Sequence, residues 1–238
     1  MSSIVDFHTH ILPAVDDGSE SIRESILMLK AEAKQGIAHV IATPHFYAQH
    51  DSPERFLRRR EAAQLCLRDE MSRYSGLPKL SIGAEVYYFS GISDSEVLQE
   101  LTISGIRCIL LEMPVPPWSD QMYRELEGIW VKQRLLPILA HVDRYISVFR
   151  TFQIPERICK LPVFVQANAS FFLHRTTAPM ALRMLKNDRI HLLGSDCHNL
   201  TDRAPNLGEA LKIIEKRLGR EAVSKIAAHQ NEILKNFV

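Results

Sequence analysis

The chain has 238 residues, 46% of them apolar and 24% charged, which is enough for a sizeable buried core and is ordinary for a water-soluble globular protein. A net charge of +1 and a pI near 7.8 give no sign of the basic face of a dedicated nucleic-acid binder. No run approaches the length of a membrane span, and the N-terminal MSSIVDFHTH meets a charge at Asp6 before any long apolar stretch, so neither membrane insertion nor a secretory leader is expected.

Taken in chain order, short apolar runs alternate with amphipathic segments. The runs are SIVDF (3–7), HVIAT (39–43), KLSIGAEV (79–86), RCILLE (107–112), LPILAH (136–141), PVFVQA (162–167) and HLLGS (191–195). They are rich in Val, Ile and Leu and mostly continuous, as strands buried on both faces of a parallel sheet are. Helical patterns fall between them, at 21–36, 53–75, 93–102, 119–134, 176–187 and 206–219. In the first, Ile22, Ile26, Leu29 and Ala33 recur at helical spacing, Ser21 and Glu24 suit a capping box, and Gly36 suits a stop. The arginine run RFLRRRE (55–61) reads as a solvated helix face rather than a nucleic-acid patch, because acidic residues are interleaved nearby. Seven strand–helix units without repeat or linker predict one domain over 1–238, a (β/α)7 barrel, with a doubly wound open sheet as the alternative.

In a parallel barrel the carboxyl ends of the strands form the active-site face. Strand 1 delivers His8 and His10 there, with Asp16 and Asp17 in the following loop; H-x-H spacing on an extended chain puts both imidazoles on one side. The later strand ends supply His45, Glu85, Glu112, His141 with Arg144, Asn168, and finally Asp196 with His198. Four carboxylates converging on one mouth would repel one another unless cations held them. Imidazole and carboxylate without thiolate suit manganese, iron or zinc, and nine donors suit two or three ions rather than one. Asn168 is a poor ligand and is expected to orient a water or a neighbour, Asp16 to make a turn or support an adjacent ligand, and Tyr47 and Tyr145 either to line the entrance or to pack.

The succession DFHTHILPAVDDG, ATPHFY, GAEVYY, LLEMP, PILAHVDRY, VQANAS and GSDCHNLTDRAPN resembles the PHP (polymerase and histidinol phosphatase) superfamily. More narrowly it resembles the bacterial protein tyrosine phosphatases of capsule and exopolysaccharide gene clusters, from residue 5 to about 210. The resemblance implies a distorted seven-stranded TIM-like barrel (PHP fold) holding three divalent ions, manganese first, with iron, zinc or magnesium as alternatives. It implies His8, His10, Glu85 and Asp196 as ligands of one ion, Glu85, Glu112 and His141 of a second, and Asp17, His45 and His198 of a third. It implies Arg144 and Arg203 as the phosphate-binding, catalytic arginines, and a cytoplasmic partner, the tyrosine-rich tail of a cognate bacterial tyrosine kinase. Bottom-up chemistry agrees: divalent ions lower the pKa of a bound water to give hydroxide near neutral pH and clamp phosphoryl oxygens. A small-molecule phosphomonoesterase, such as a histidinol-phosphate phosphatase, is the alternative.

One stretch, LLGSDCHNLTDR, allows a rival chemistry. Cys197 and Arg203 have the C-x-x-x-x-x-R spacing of a cysteine phosphatase loop. The intervening His, Asn, Leu, Thr and Asp lack the glycines that let such a loop wrap phosphate in N–H groups, and Asp202 opposes a dianion. Cys197 is therefore expected to be a small side chain pointing away between two ligands. The four cysteines, at 66, 108, 159 and 197, include no C-x-x-C pair and read as free thiols.

Overall fold

Every strand pairing in the computed structural model is parallel, as the continuous apolar runs require. The structure describes residues 4–115, 117–148 and 153–236. Strands β1 (Ile4–Thr9), β2 (Ile37–Ala42), β3 (His45–Phe46), β4 (Lys79–Ile82), β5 (Glu85–Tyr87), β6 (Cys108–Glu112), β7 (Leu136–Leu139), β8 (Phe164–Asn168) and β9 (Leu192–Gly194) form two ladders, β1-β2-β4 and β3-β5-β6-β7-β8-β9. Helices α1 (Ile22–Lys34), α2 (Pro53–Met71), α3 (Asp120–Gln133), α4 (Val142–Val148), α5 (Gln153–Ile158), α6 (Ser170–Leu173), α7 (Ala178–Lys186), α8 (Leu207–Leu218) and α9 (Arg220–Asn236) fall between and after them.

The two ladders are one wall. KLSIGAEV, read as a single strand, is broken at Gly83–Ala84 into β4 and β5, and the chain of β2 is broken at Thr43–Pro44 before β3. Proline has no N–H to give a ladder. Hydrogen bonds from Gly83 N to Ala42 O (2.8 Å) and Glu85 N to Pro44 O (3.0 Å) carry the wall across both breaks. The seam is closed by Asp196 N to His8 O (2.8 Å) and His10 N to Cys197 O (2.9 Å). Counting each broken pair once, seven strands curl into the expected distorted barrel, not an open doubly wound sheet.

Alternation along the strands sorts the side chains. Val5, Phe7, Ile41, Leu110, Ile138 and Leu192 make one apolar cluster inside the barrel, joined by Ile233 of α9. Their neighbours Val40, Ile109, Leu111, Leu139, Val165 and Leu193 pack outward against the helices. The same inward periodicity, continued towards the strand ends, supplies Glu112 on β6 and Gln166 and Asn168 on β8. In β1 the register with β2 slips between Asp6 and Thr9; such an irregularity re-aims side chains, and past it the inward set becomes His8 and His10.

Four other points differ from the expectations. Residues 93–102 form two short 3-10 turns, Ile92–Asp94 and Glu96–Glu100, not an α-helix. Ser93, Asp94 and Ser95 favour turns, and Gln133 Nε2 takes up the Ser93 and Ser95 carbonyls at 3.1 and 2.9 Å. Helix α2 stops at Met71, where the Ser72 hydroxyl bonds Asp69 O. Helix α9 had no counterpart in the sequence reading; its Gln230 side chain accepts from Val5 N (3.1 Å) and donates to Val5 O (2.8 Å), as a strand neighbour would. Ser21 caps α1 through Glu24 N (3.2 Å), while the Glu24 carboxylate reaches Glu20 N (2.9 Å), one residue earlier than a standard box.

Candidate metal centre

All nine donor residues inferred from the strand ends meet at one mouth of the barrel. Glu85, 1% exposed, is at the middle: Oε2 lies 3.0 Å from His8 Nε2, 3.3 Å from His10 Nε2 and 3.0 Å from His45 Nδ1, and Oε1 lies 2.7 Å from His141 Nε2. Asp196 Oδ1 lies 3.5 and 3.4 Å from the Nε2 atoms of His8 and His10. Glu112 Oε1 is 3.4 Å from His141 Nε2. Asp17 Oδ1 stands 3.5 Å from Nε2 of both His45 and His198. Three overlapping sets converge closely enough to share ions: His8, His10 and Glu85; His45, Glu85 and Glu112; and His10, Asp17, His45 and His198. His10 and His45 thus each reach a second set, beyond the grouping expected from sequence.

The residues fit divalent cations. His198 Nε2 is buried without a hydrogen-bond partner, a costly state for a polar atom unless it ligates. Oxygen and imidazole donors without thiolate match a hard or borderline ion. Burial works against a charged Glu85, yet the charge of His8 and the hydrogen bonds of His10, His141 and His45 hold its carboxyl well below the usual range. Burial and the charge of His10 push His198 down to about 4, which keeps its ring neutral, the form a cation needs. Two of the donors sit on left-handed backbone, His141 at φ 31° and Asp196 at φ 54°, strain of the kind retained at functional sites.

A layer of fixed partners stands behind the donors. Asp16 takes His10 Nδ1 at 2.7 Å, His45 N at 2.9 Å and Gly18 N at 3.0 Å, so it holds two of the candidate donors and a turn in place. Burial opposes its charge, but the bond to His10 prevails and keeps it ionised. Asn168 Nδ2 donates to Asp196 Oδ2 at 2.9 Å. The sequence reading passed over Gln166, although a glutamine inside the apolar run PVFVQA is itself a signal. Its Oε1 accepts from His141 N (2.6 Å) and faces His8 Nδ1 (3.4 Å), and its Nε2 donates to Asn168 Oδ1 (3.1 Å). Asp6, also passed over, accepts from His8 N (3.1 Å) and from Ser195 N (3.0 Å), tying β1 to the end of β9.

Arg144 and Arg203 stand at the rim, each bonded to Asp196. Tyr47 also lies there, its hydroxyl 3.2 Å from His45 Nδ1. Tyr145 does not: it is 3% exposed, packs edge-on against Trp118, and accepts from Met113 N at 2.8 Å. Of the two roles open to it, packing is the one it takes, because α4 turns its ring inward. Cys197 is fully buried beside Glu32, its sulfur 4.0 Å from Oε1. Burial, then the neighbouring Glu32 and Asp6 charges, push its thiol well above the usual value, the opposite of an activated nucleophile.

A parallel α/β barrel with imidazoles and carboxylates gathered at its strand ends has the design of a metal-dependent barrel hydrolase. The chain belongs to the capsular polysaccharide synthesis family CpsB/CapC, whose model matches residues 4–235. It is 26% identical over 245 residues to tyrosine-protein phosphatase CpsB of Streptococcus agalactiae, covering 98% of this chain and 99% of that one. It is 28% identical over 244 residues to tyrosine-protein phosphatase YwqE of Bacillus subtilis, covering 98% and 92%. Among solved structures, the fold matches that of YwqE from Bacillus subtilis and CpsB from Streptococcus pneumoniae, described as unique metal-dependent tyrosine phosphatases, with TM-score 0.86, 22% identity and 99% and 96% coverage. It also matches the phosphotriesterase homology protein of Escherichia coli, with TM-score 0.59, 9% identity and 98% and 99% coverage.

Proposed function

We propose that the protein is a metal-dependent protein tyrosine phosphatase, a phosphoric monoester hydrolase acting in capsule or exopolysaccharide synthesis. The observation that carries this reading is the pairing of a nine-donor mouth with two arginine forks fixed at its rim on Asp196. His8, His10, Glu85 and Asp196 would hold one ion, Glu85, Glu112 and His141 a second, and Asp17, His45 and His198 a third. When bound, the ions acidify a water and neutralise the phosphoryl oxygens; manganese is the metal we propose.

The chain's own residues do the rest. Asp17, Glu85, Glu112 and Asp196 bring four negative charges against six from three divalent ions, so the loaded mouth attracts a dianion. Arg144 and Arg203 present planar donors to phosphate oxygens that face away from the donors below. Buried Gln166, Asn168 and Asp16 hold ligand rings and carboxylates in place, so little reorganises as charge moves to the leaving phenolate.

The relatives' names favour a phosphotyrosine substrate over a small phosphomonoester. The partner we propose is the tyrosine-bearing tail of a bacterial tyrosine kinase, met in the cytoplasm, with residues 1–238 acting as one phosphatase domain. Among the described residues no helix is long and apolar enough to cross a membrane. Steady-state comparison of a phosphotyrosine peptide with histidinol phosphate on manganese-loaded protein tests the reading. A higher kcat/KM for the peptide is expected, and preference for histidinol phosphate would replace it with the small-molecule alternative.

A further inference from the structure

The arginine run at 55–60 divides its work. Arg60 turns back onto the barrel, donating to Gly83 O (3.1 Å) and Glu100 O (2.9 Å), and so braces α2 over the break between β4 and β5. Arg55 and Arg59 are one helical turn apart and share a face. Together with Val15, Asp17, His45 and Tyr47 they line a cleft of about 500 Å³. The cleft therefore runs from two of the metal-centre donors to two guanidinium groups.

Both guanidiniums grip one carboxylate. Arg55 Nε lies 2.5 Å from Asp51 Oδ1 and Arg59 Nη1 lies 2.6 Å from Oδ2. Arg55 also donates to His50 O (3.1 Å) and Arg59 to Val15 O (3.4 Å). The Asp51 side chain is 12% exposed, against 60% and 40% for the arginines, so the acid is covered and the cations face outward. Asp16 is engaged with His10 and the His45 N–H, whereas Asp17, 67% exposed and 3.5 Å from the Nε2 atoms of His45 and His198, is one of the donors turned to the candidate centre. Two guanidiniums thus face one covered carboxylate at the outer end of the cleft, on donors already held in place, which lowers the entropic cost of receiving an anion.

We propose that Arg55 and Arg59 form a docking subsite for the carboxylate of an acidic residue flanking the phosphotyrosine. The inference rests on the phosphotyrosine reading of the metal centre. With the phosphate at the rim arginines, the tyrosyl ring passes Tyr47 and leaves the peptide backbone at the cleft, where a neighbouring acidic side chain meets the two guanidiniums. The contact is charge-assisted but exposed, so it acts on KM and weakens with salt.

The test uses two phosphotyrosine peptides that differ only in having Asp and Glu or Asn and Gln around the tyrosine. Turnover of both is measured on manganese-loaded wild type and on Arg55→Gln/Arg59→Gln, whose glutamines keep the helix. Binding of the same pair carrying a non-hydrolysable phosphonate in place of the phosphate is read by fluorescence anisotropy. For wild type at low salt we expect roughly tenfold preference for the acidic peptide, in KM and in affinity. In the double variant the two peptides should converge. Equal affinity of the two peptides for wild type, or an undiminished preference in the double variant, overturns the subsite. Binding preference without turnover of either peptide keeps the subsite and sinks the phosphatase reading, so the two failures are distinguishable.

Discussion

Arg144, on helix α4 after β7, and Arg203, in the loop after β9, hold opposite oxygens of one carboxylate: Arg144 Nη2 is 2.7 Å from Asp196 Oδ2 and Arg203 Nη2 is 2.8 Å from Oδ1. Asp196 thus fixes both forks at the rim and faces the imidazoles of His8 and His10 below. Burial opposes its charge, but His8 and His10 keep its carboxyl well below the usual range. An ionised Asp196 is what holds both guanidiniums at the rim.

Arg144→Ala and Arg203→Ala should each lower kcat/KM for a phosphotyrosine peptide by about 100-fold, the scale for losing one preorganised donor to developing charge. Lysine at either position should restore little, because an ammonium cannot reproduce the planar fork. Bound metal counted in the same samples should stay near the wild-type level. Variants with wild-type turnover would remove the arginines from the mechanism.

Gln166 governs the proton on His8. The His141 N–H bond defines which end of the amide is oxygen, so the His8 Nδ1 facing that oxygen carries a proton and Nε2 is the nitrogen turned to the centre. Gln166→Met, similar in size but without the amide, should weaken metal binding by about 10- to 100-fold in a calorimetric manganese titration. Gly194→Ala should do the same by crowding, since a Cβ there would sit 2.5 Å from His8 Cβ and 2.8 Å from Gln166 Nε2. Unchanged titrations in both variants would show that the amide does not position the ligand.

His191 sets a pH dependence of stability away from the metal centre. Its Nδ1 accepts from Val165 N at 3.0 Å and so must be unprotonated; burial, then the neighbouring His229, push it down to about 4. An unfolded histidine titrates near 6.5. Between those values the unfolded chain binds more protons, so this contribution is complete above about pH 6.5 and is lost as pH falls towards 4. It amounts to at most about 3 kcal/mol. His191→Asn, whose side-chain oxygen can take the same N–H, should flatten the fall in urea midpoint between pH 7 and 5 relative to wild type. An equally steep fall in the variant would assign it to other groups.

The fold and the donors were legible in the sequence to different depths. Continuous Val, Ile and Leu runs ending in His, Glu or Asp located the parallel strands and the donor types, because both follow from period and residue chemistry. The break inside KLSIGAEV was not legible, since it depends on Pro44 interrupting the neighbouring strand. Helix α9 was missed because Gln230 and Ile233 gain their role only by contact with β1 and the barrel interior. Tyr145 stayed open between rim and core, because its ring direction is set by packing on Trp118. Gln166 and Asp6 looked like isolated polar residues, and their decisive partners lie far away in the chain, His8 and His141 for one and Ser195 for the other.

The most direct measurement is turnover of p-nitrophenyl phosphate and a phosphotyrosine peptide by wild type and Cys197→Ser, each after chelation and after manganese is added back, with bound metal counted. Cys197 is buried and its thiol is held protonated, whereas nine donors converge on the mouth beside it. Activity should vanish on chelation, return with manganese and be indifferent to the serine change. Activity that survives chelation but is lost with Cys197→Ser would make LLGSDCHNLTDR a cysteine loop and contradict the metal-dependent account.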